Sequence, residues 1–335
     1  MKKKLLSISF FLVGIAVFSM KRDQLPIILP IQNVTFNDAS SAWIVTGKND
    51  LLYTANGGET WNKIPADIVG GFEYTCFVTV QIGWAINKDG QVWKTTDSGK
   101  TWTSISKLDD KSLEQITFVD QKNGWIISPF SIWRTEDGGV IWKRHISSSP
   151  NRPKELTHRV YFLNSKVGWM GGENGAIYST TDGGLSWEDK SIENSDMNLF
   201  DFFFLNERVG WVCGLPYGGI YHTQDGGKTW QLQKLPYDST NIFSVYFTSE
   251  KDGWAVGSHK LEKPSQNSEY GGLVLRTTDA GKTWKFAQAL ESDLWCSRVY
   301  FANSLQGWIA GRNNVYRTDD GGKSWKRVLE APEMR

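Results

Sequence analysis

Seven side-chain oxygens of this 335-residue chain recur at one position, and six of them are carboxylates: Asn56, Asp97, Asp137, Asp182, Asp225, Asp279 and Asp320. Each lies in a string close to T-x-D-x-G-x-(T/S)-W, at residues 54–61, 95–102, 135–142, 180–187, 223–230, 277–284 and 318–325. Two carboxylates converging on one bond could perform acid–base or glycosidic chemistry. These recur once per repeat, in strings that start 41, 40, 45, 43, 54 and 41 residues apart, so that distributed around a ring of repeats they cannot pair, and the first copy carries an amide at the position instead. The position reads as a turn staple. Its oxygen accepts backbone N–H groups, Gly-Gly supplies the positive φ of a tight turn, and the Thr hydroxyl closes the other side.

A second set of residues breaks the repeat. Ten residues before a recurrent Gly-Trp or Ala-Trp pair stand Asn33, Tyr74, Gln115, Arg159, Asp201, Ser244 and Arg298, followed two residues later by Thr35, Cys76, Thr117, Tyr161, Phe203, Tyr246 and Tyr300. Arg159 and Arg298 can hold a carboxylate or phosphate through bidentate contacts. Arg159 can equally pair with Asp201 of the next repeat. The three cysteines, Cys76, Cys213 and Cys296, show no CxxC or His-rich spacing, and an odd number cannot pair completely. They read as core thiols, so no metal and no cofactor is expected.

The elements that position these residues follow from the repeat. The Trp markers fall at 43, 84, 125, 169, 211, 254 and 308; seven residues earlier stands Phe36, Phe77, Phe118, Phe162, Phe204, Phe247 or Phe301, and two earlier still an apolar residue or Thr75. That period of two argues a strand with one fixed buried face. Four short strands per unit of 40 to 45 residues is the spacing of propeller blades, which predicts an all-β fold, a seven-bladed β-propeller of four-stranded antiparallel blades with the strings as turns. The two Trp columns account for fourteen of the 17 tryptophans. Each buried indole removes roughly 150 to 250 Å² from water, on the order of 4 to 6 kcal/mol gross at about 25 cal/mol per Å², so the columns read as filler between neighbouring blades. The non-uniform column, opposite in phase to the Phe, is expected near the central opening and is the candidate ligand-facing surface.

Two long connections, 145–158 and 258–271, bring Arg152, Lys154, His158, His259, Lys260, Lys263, Glu269 and Tyr270 to one expected face, with Trp295 entering the last blade from the same side. Arg, Tyr and Trp are typical protein-interface anchors; a pair of solvated loops is the plain alternative. Lys94, Arg134, His222, Arg276 and Arg317 share the position before the string's Thr. On outer strands such a stripe could meet an acidic partner or lipid headgroups, or protect the edge from strand pairing.

Net charge is +1, or −2 without Lys2–Lys4, which argues against nucleic acid as a partner. Lys2–Lys4 precede an apolar run over 5–18, the order of an export signal and short for a membrane span. Residues 1–20 are read as a signal peptide or membrane anchor, 21–32 as a linker or closing strand, and 33–335 as the propeller, working outside the cytoplasm.

The T-x-D-x-G-x-T-W string resembles the Asp-box, or BNR, repeat of sialidases, some glucan hydrolases and sortilin-type receptors. Seven copies joined to VxF and GW-x-x-G over about residues 33–329 resemble the photosystem II stability and assembly factor family. That resemblance implies a seven-bladed propeller without catalysis that acts as an assembly scaffold, and that carries an Arg-rich patch. It implies a protein partner, a membrane-protein complex among the candidates, bound by a monomer. Sialidases carry an Arg-Ile-Pro motif, which this chain lacks, and the glucan hydrolases are longer. A sialidase-like glycoside hydrolase or carbohydrate-binding propeller using Arg159, Arg298 and the tyrosines is the alternative. The expectation is a non-enzyme.

Overall fold

The computed structural model describes residues 8–9, 31–47, 50–64, 71–128, 131–145, 157–215, 219–237, 240–265, 268–290 and 295–329. Every regular element among them is a strand, and the strands form seven sheets in chain order, blades 1 to 7, over 31–64, 74–107, 115–145, 157–189, 198–233, 240–290 and 296–329. Each blade has four antiparallel strands in sequential order, and a two-residue strand, Ile8–Ser9, pairs with the innermost strand of blade 1. The fold is a seven-bladed β-propeller. It divides into two compact units, residues 1–149 with 328–335 (blades 1 to 3) and residues 150–327 (blades 4 to 7).

One three-ring unit holds neighbouring blades together. The Trp of the Gly-Trp pair stacks on the Phe of the following blade: Trp43 on Phe77 at 3.8 Å, Trp84 on Phe118 at 3.7 Å, Trp169 on Phe204 at 3.5 Å, Trp211 on Phe247 at 3.5 Å and Trp254 on Phe301 at 3.9 Å. The turn Trp of that following blade meets the same Phe edge-on, as Trp230 does Phe204 at 6.2 Å. Edge-on pairs of this kind add about 0.5 to 1.5 kcal/mol beyond area burial, whereas the face-to-face Trp–Phe stacks contribute through the apolar area they bury. The indole N–H continues the link, donating to a carbonyl in the next blade's turn: Trp43 to Ser98, Trp84 to Gly138, Trp169 to Gly226 and Trp211 to Ala280. All seven Gly-Trp tryptophans are fully buried, whereas the turn residues Trp102, Trp142, Trp187 and Trp230 are only half-buried. Filler of the expected kind is thus the first column in full and the second in part.

The glycine of the Gly-Trp pair has a steric reason. A Cβ on Gly83, Gly124, Gly168, Gly210, Gly253 or Gly307 would lie 2.3 to 2.7 Å from the Phe ring of the same blade. The turns form the expected staple: in blade 4, Asp182 Oδ1 accepts from the Thr180 hydroxyl at 2.8 Å and from the N–H of Leu185 and Ser186 at 2.9 Å each, and Oδ2 accepts from the Ser186 hydroxyl at 2.6 Å.

Candidate functional site

The non-uniform column is not a solvent-facing rim. Asn33, Tyr74, Gln115, Arg159, Asp201, Ser244 and Arg298 are all buried, none more than 6% exposed. The alternation along the inner strand is as the sequence indicates, but in a stack of blades both faces of that strand are covered. Five of the seven column residues follow a β-bulge, at 31/33, 157/159, 199/201, 242/244 and 296/298, a device that re-aims a side chain. Gly214 and Gly257 lie opposite two of these bulges, where a Cβ would meet the carbonyl oxygens of Asn198 and Asn241 at 2.0 and 1.7 Å.

The buried column forms side-chain bridges from one inner strand to the next. In the first unit Asn33 Oδ1 accepts from the N–H of Thr75 at 3.0 Å, and the Thr35 hydroxyl donates to the Thr75 carbonyl at 3.0 Å. In the second, Asp201 Oδ2 accepts from the Ser244 hydroxyl at 2.8 Å and the N–H of Val245 at 3.2 Å, and Ser244 Oγ accepts from the N–H of Val299 at 3.3 Å. Asp201 Oδ1 takes Arg298 Nη1 at 3.3 Å. The ion pair therefore joins Asp201 to Arg298, two blades on, and not to Arg159, whose Nε donates to the Phe200 carbonyl at 3.0 Å. Tyr161 donates to the Phe204 carbonyl at 2.9 Å, and Tyr246 packs edge-on to Tyr300 at 5.4 Å. Burial pushes the Asp201 carboxyl up and the Arg298 guanidinium down, each against the pull of the other's charge. Burial likewise raises the Cys213 thiol and the Tyr161 and Tyr246 phenols. The arrangement holds strands in register and keeps its oxygens occupied.

The cationic stripe lies on the third strand of blades 2, 3, 5, 6 and 7 rather than the outermost. Each residue stands across from a Gly-Trp tryptophan (Lys94 opposite Trp84, Arg134 opposite Trp125, His222 opposite Trp211, Arg276 opposite Trp254, Arg317 opposite Trp308). Lys94 covers its indole at 4.9 Å, Arg276 at 5.4 Å and Arg317 at 5.8 Å, while His222 stacks at 4.7 Å. These are cation–π and ring lids on the indole. Arg134 and Arg317 also pair with Glu136 and Asp319 at 2.9 and 2.8 Å.

Exposed and irregular features gather on blade 6. The connection 258–271 is no loop: strands Gly253–Ser265 and Ser268–Thr277 pair through it, with His259 opposite Gly271 and Lys260 opposite Tyr270. At the base of this long hairpin Tyr237 stacks on His259 at 5.8 Å and meets Phe286 edge-on at 6.3 Å. Tyr237, Tyr270 and Phe286 are each a little over 40% exposed. His259 Nδ1 is buried without a partner. Beside Phe286 runs a groove of about 300 Å³ lined by Arg276, Thr277, Thr278, Thr283, Lys285, Phe286, Ala287, Gly322 and Lys323. Three cations and no carboxylate line it. Nε of the lining residue Arg276 is buried without a partner, as is Trp254 Nε1, which lies 2.4 Å from where a Cβ on the lining residue Gly322 would stand. Sequence reasoning reached His259, Lys260 and Tyr270 through the length of the insertion, but not Tyr237, Phe286, Lys285 or Lys323. Trp295 lies under the Arg312 guanidinium at 4.9 Å. Arg152 and Lys154 lie outside the described residues, as do the side chains of His158, Lys263 and Glu269.

Among the described residues no cluster of His, Cys, Asp and Glu could hold a metal ion, and no helix is long and apolar enough to cross a membrane.

Comparison with curated proteins gives no match. Two solved structures share the fold over nearly the whole chain. "YCF48 bound to D1 peptide" is 16% identical, TM-score 0.68, covering 94% of this chain and 97% of its own. YCF48 from Cyanidioschyzon merolae is 17% identical, TM-score 0.63, covering 95% and 97%. An ancestral GH74 enzyme is 14% identical, TM-score 0.58, over 76% of this chain and 38% of its own, a likeness of fold alone. The sequence itself matches the family described as photosynthesis system II assembly factor YCF48 over residues 16–149, 152–236 and 228–334. With the match running through all seven blades, the chain belongs to that family of assembly-factor propellers.

Proposed function

We propose that this propeller is a non-catalytic scaffold that grips a carboxylate-bearing peptide segment of a protein partner along blade 6. The observation that carries this is the groove beside Phe286, where three cations stand without a lining acid next to the exposed Tyr237–His259–Phe286 cluster. Aromatic anchors beside unpaired cations are the usual composition of a hot spot, and a carboxylate would satisfy the cations by charge-assisted bonds. A related propeller with bound D1 peptide makes that peptide the first probe. The absence of catalysis is supported by Asp201, whose two oxygens already accept Arg298, Ser244 and Val245. The charged-then-apolar order of residues 2–18 supports action outside the cytoplasm; cell fractionation that recovers the chain from the cytosol would count against it.

The test is a fluorescence-anisotropy titration of labelled D1 peptide. Lys285→Glu with Lys323→Glu is expected to weaken binding at least tenfold and to leave the denaturation midpoint within error. Unchanged affinity would overturn the assignment of the groove.

A further inference from the structure

One turn gives up part of its staple. In blades 2, 4, 5, 6 and 7 a Thr or Ser hydroxyl donates to the second oxygen of the turn Asp at 2.6 to 2.7 Å (Thr101, Ser186, Thr229, Thr283 and Ser324), and in blade 1 Thr60 accepts from Asn56 at 3.0 Å. Blade 3 has Ile141 there, which offers only its N–H, to Asp137 Oδ1 at 3.0 Å. The residue before it is Val140, where five of the other six turns carry Lys or Glu. The two side chains are 60% and 61% exposed, so they contribute almost nothing to the core.

The tip is nonetheless rigid. Val140 N–H and Ile141 N–H both bond Asp137 Oδ1, Gly138 N–H bonds the Lys122 carbonyl at 2.9 Å, and Trp142 Nε1 bonds the Gly139 carbonyl at 2.9 Å. Two exposed aliphatic side chains are thus carried on a turn whose backbone is already fixed, so that contact costs little backbone entropy. The nearby acids are engaged: Asp120 caps its own turn, Glu136 pairs with Arg134, and Asp137 is the staple. Lys122 and Lys143, both exposed, flank the tip without a carboxylate partner among the described residues, and the Lys94 ammonium lies 3.1 Å from where a Gly138 Cβ would stand.

We propose that the Val140–Ile141 turn is a contact site for an anionic bilayer surface, its two aliphatic side chains entering the interface while Lys122 and Lys143 sit at the headgroups. An exposed tip of Val and Ile between lysines is unlike a protein hot spot, where Trp, Tyr and Arg dominate and Val is scarce. It is the composition of a shallow interfacial insertion, in which apolar burial and basic charge act together. The apolar run over 5–18 is too short for an ordinary span, and durable attachment of a weakly held protein takes a second contact.

The full chain is tested on vesicles of phosphatidylcholine with and without about one third phosphatidylglycerol. Val140→Cys carrying a polarity-sensitive dye reports the tip itself, since Cys76, Cys213 and Cys296 are buried. A blue shift on the anionic vesicles, quenched by shallow but not deep lipid-borne quenchers, is expected; no shift overturns the site. Val140→Ser with Ile141→Thr is expected to lower partitioning at least tenfold with an unchanged or raised denaturation midpoint, since Thr restores the staple. Lys122→Glu with Lys143→Glu should abolish the preference for the anionic vesicles. A variant that binds vesicles like the parent but loses the peptide would show that the tip takes protein instead, and would overturn the proposal.

Discussion

Asp201→Asn should be among the most damaging single-atom changes in this protein. The Asp201 and Arg298 side chains are 3% and 7% exposed and meet at 3.3 Å. Burial moves both titrations toward their neutral forms, so the pair is not a surplus of attraction; desolvation outweighs it. Yet removing one partner leaves a guanidinium charge in the interior, which costs roughly 3 to 5 kcal/mol, and the Asp201 bonds to Ser244 and Val245 are weakened as well. Arg298→Met strands the carboxylate and should cost about as much. The double variant Asp201→Asn with Arg298→Met leaves no charge, keeps an amide oxygen for the Ser244 and Val245 donors, and should recover most of the loss, ending within about 1 to 2 kcal/mol of the parent. Urea unfolding followed by tryptophan fluorescence reads all four forms as midpoints at constant slope. Single variants losing less than about 1 kcal/mol, or a double variant losing the sum of the two, would refute the reading of this pair as a buried register lock.

Other perturbations separate packing from turn chemistry. Trp169→Ala should cost about 3 to 5 kcal/mol through lost burial and a cavity, whereas Asp182→Ala in the turn should cost about 1 to 2; equal small losses in a urea titration would contradict that order. Gly210→Ala would set a Cβ 2.3 Å from a Phe204 ring already backed by Trp169 at 3.5 Å, so a loss of about 1 to 3 kcal/mol is expected, with no change meaning the ring has room. Burial raises the turn carboxylates of Asp182 and Asp225, but hydroxyl and N–H donors pull them down to about 2, and the Thr283 and Thr277 donors hold Asp279 there too. Because these folded values lie below those of the unfolded chain, the stabilisation is present above about pH 4 and is lost as pH falls through 2. A midpoint flat from pH 5 to pH 2 would show that the staples are not made.

Much of the frame could be read in the residues themselves. The Phe, Gly-Trp and turn strings recur because each does the same job seven times, and period two with a fixed spacing is enough to place a strand. Three features were out of reach. The bulges before Asn33, Arg159, Asp201, Ser244 and Arg298 leave no signal in a local pattern, and alternation alone cannot say that both faces of an inner strand are covered. The lids on the Gly-Trp indoles, Arg276 over Trp254 among them, are cross-strand relations fixed by register. The blade 6 groove combines Arg276 and Lys285 with Lys323 of the next blade's turn, residues that only packing brings together. The odd turn TEDGGVIW was legible as a departure from the repeat, but its exposure came from the fold.

The central claim is that repeated residues build the propeller, the buried residues that break the repeat lock its inner strands, and the exposed departures around Phe286 of blade 6 do the recognising. A photo-crosslinking side chain placed at Phe286 and, separately, at Ser104, the corresponding exposed position of blade 2, tests it most directly with the D1 peptide. The account predicts peptide adducts from position 286 and none from 104. Adducts from both alike, or from 104 alone, would contradict it.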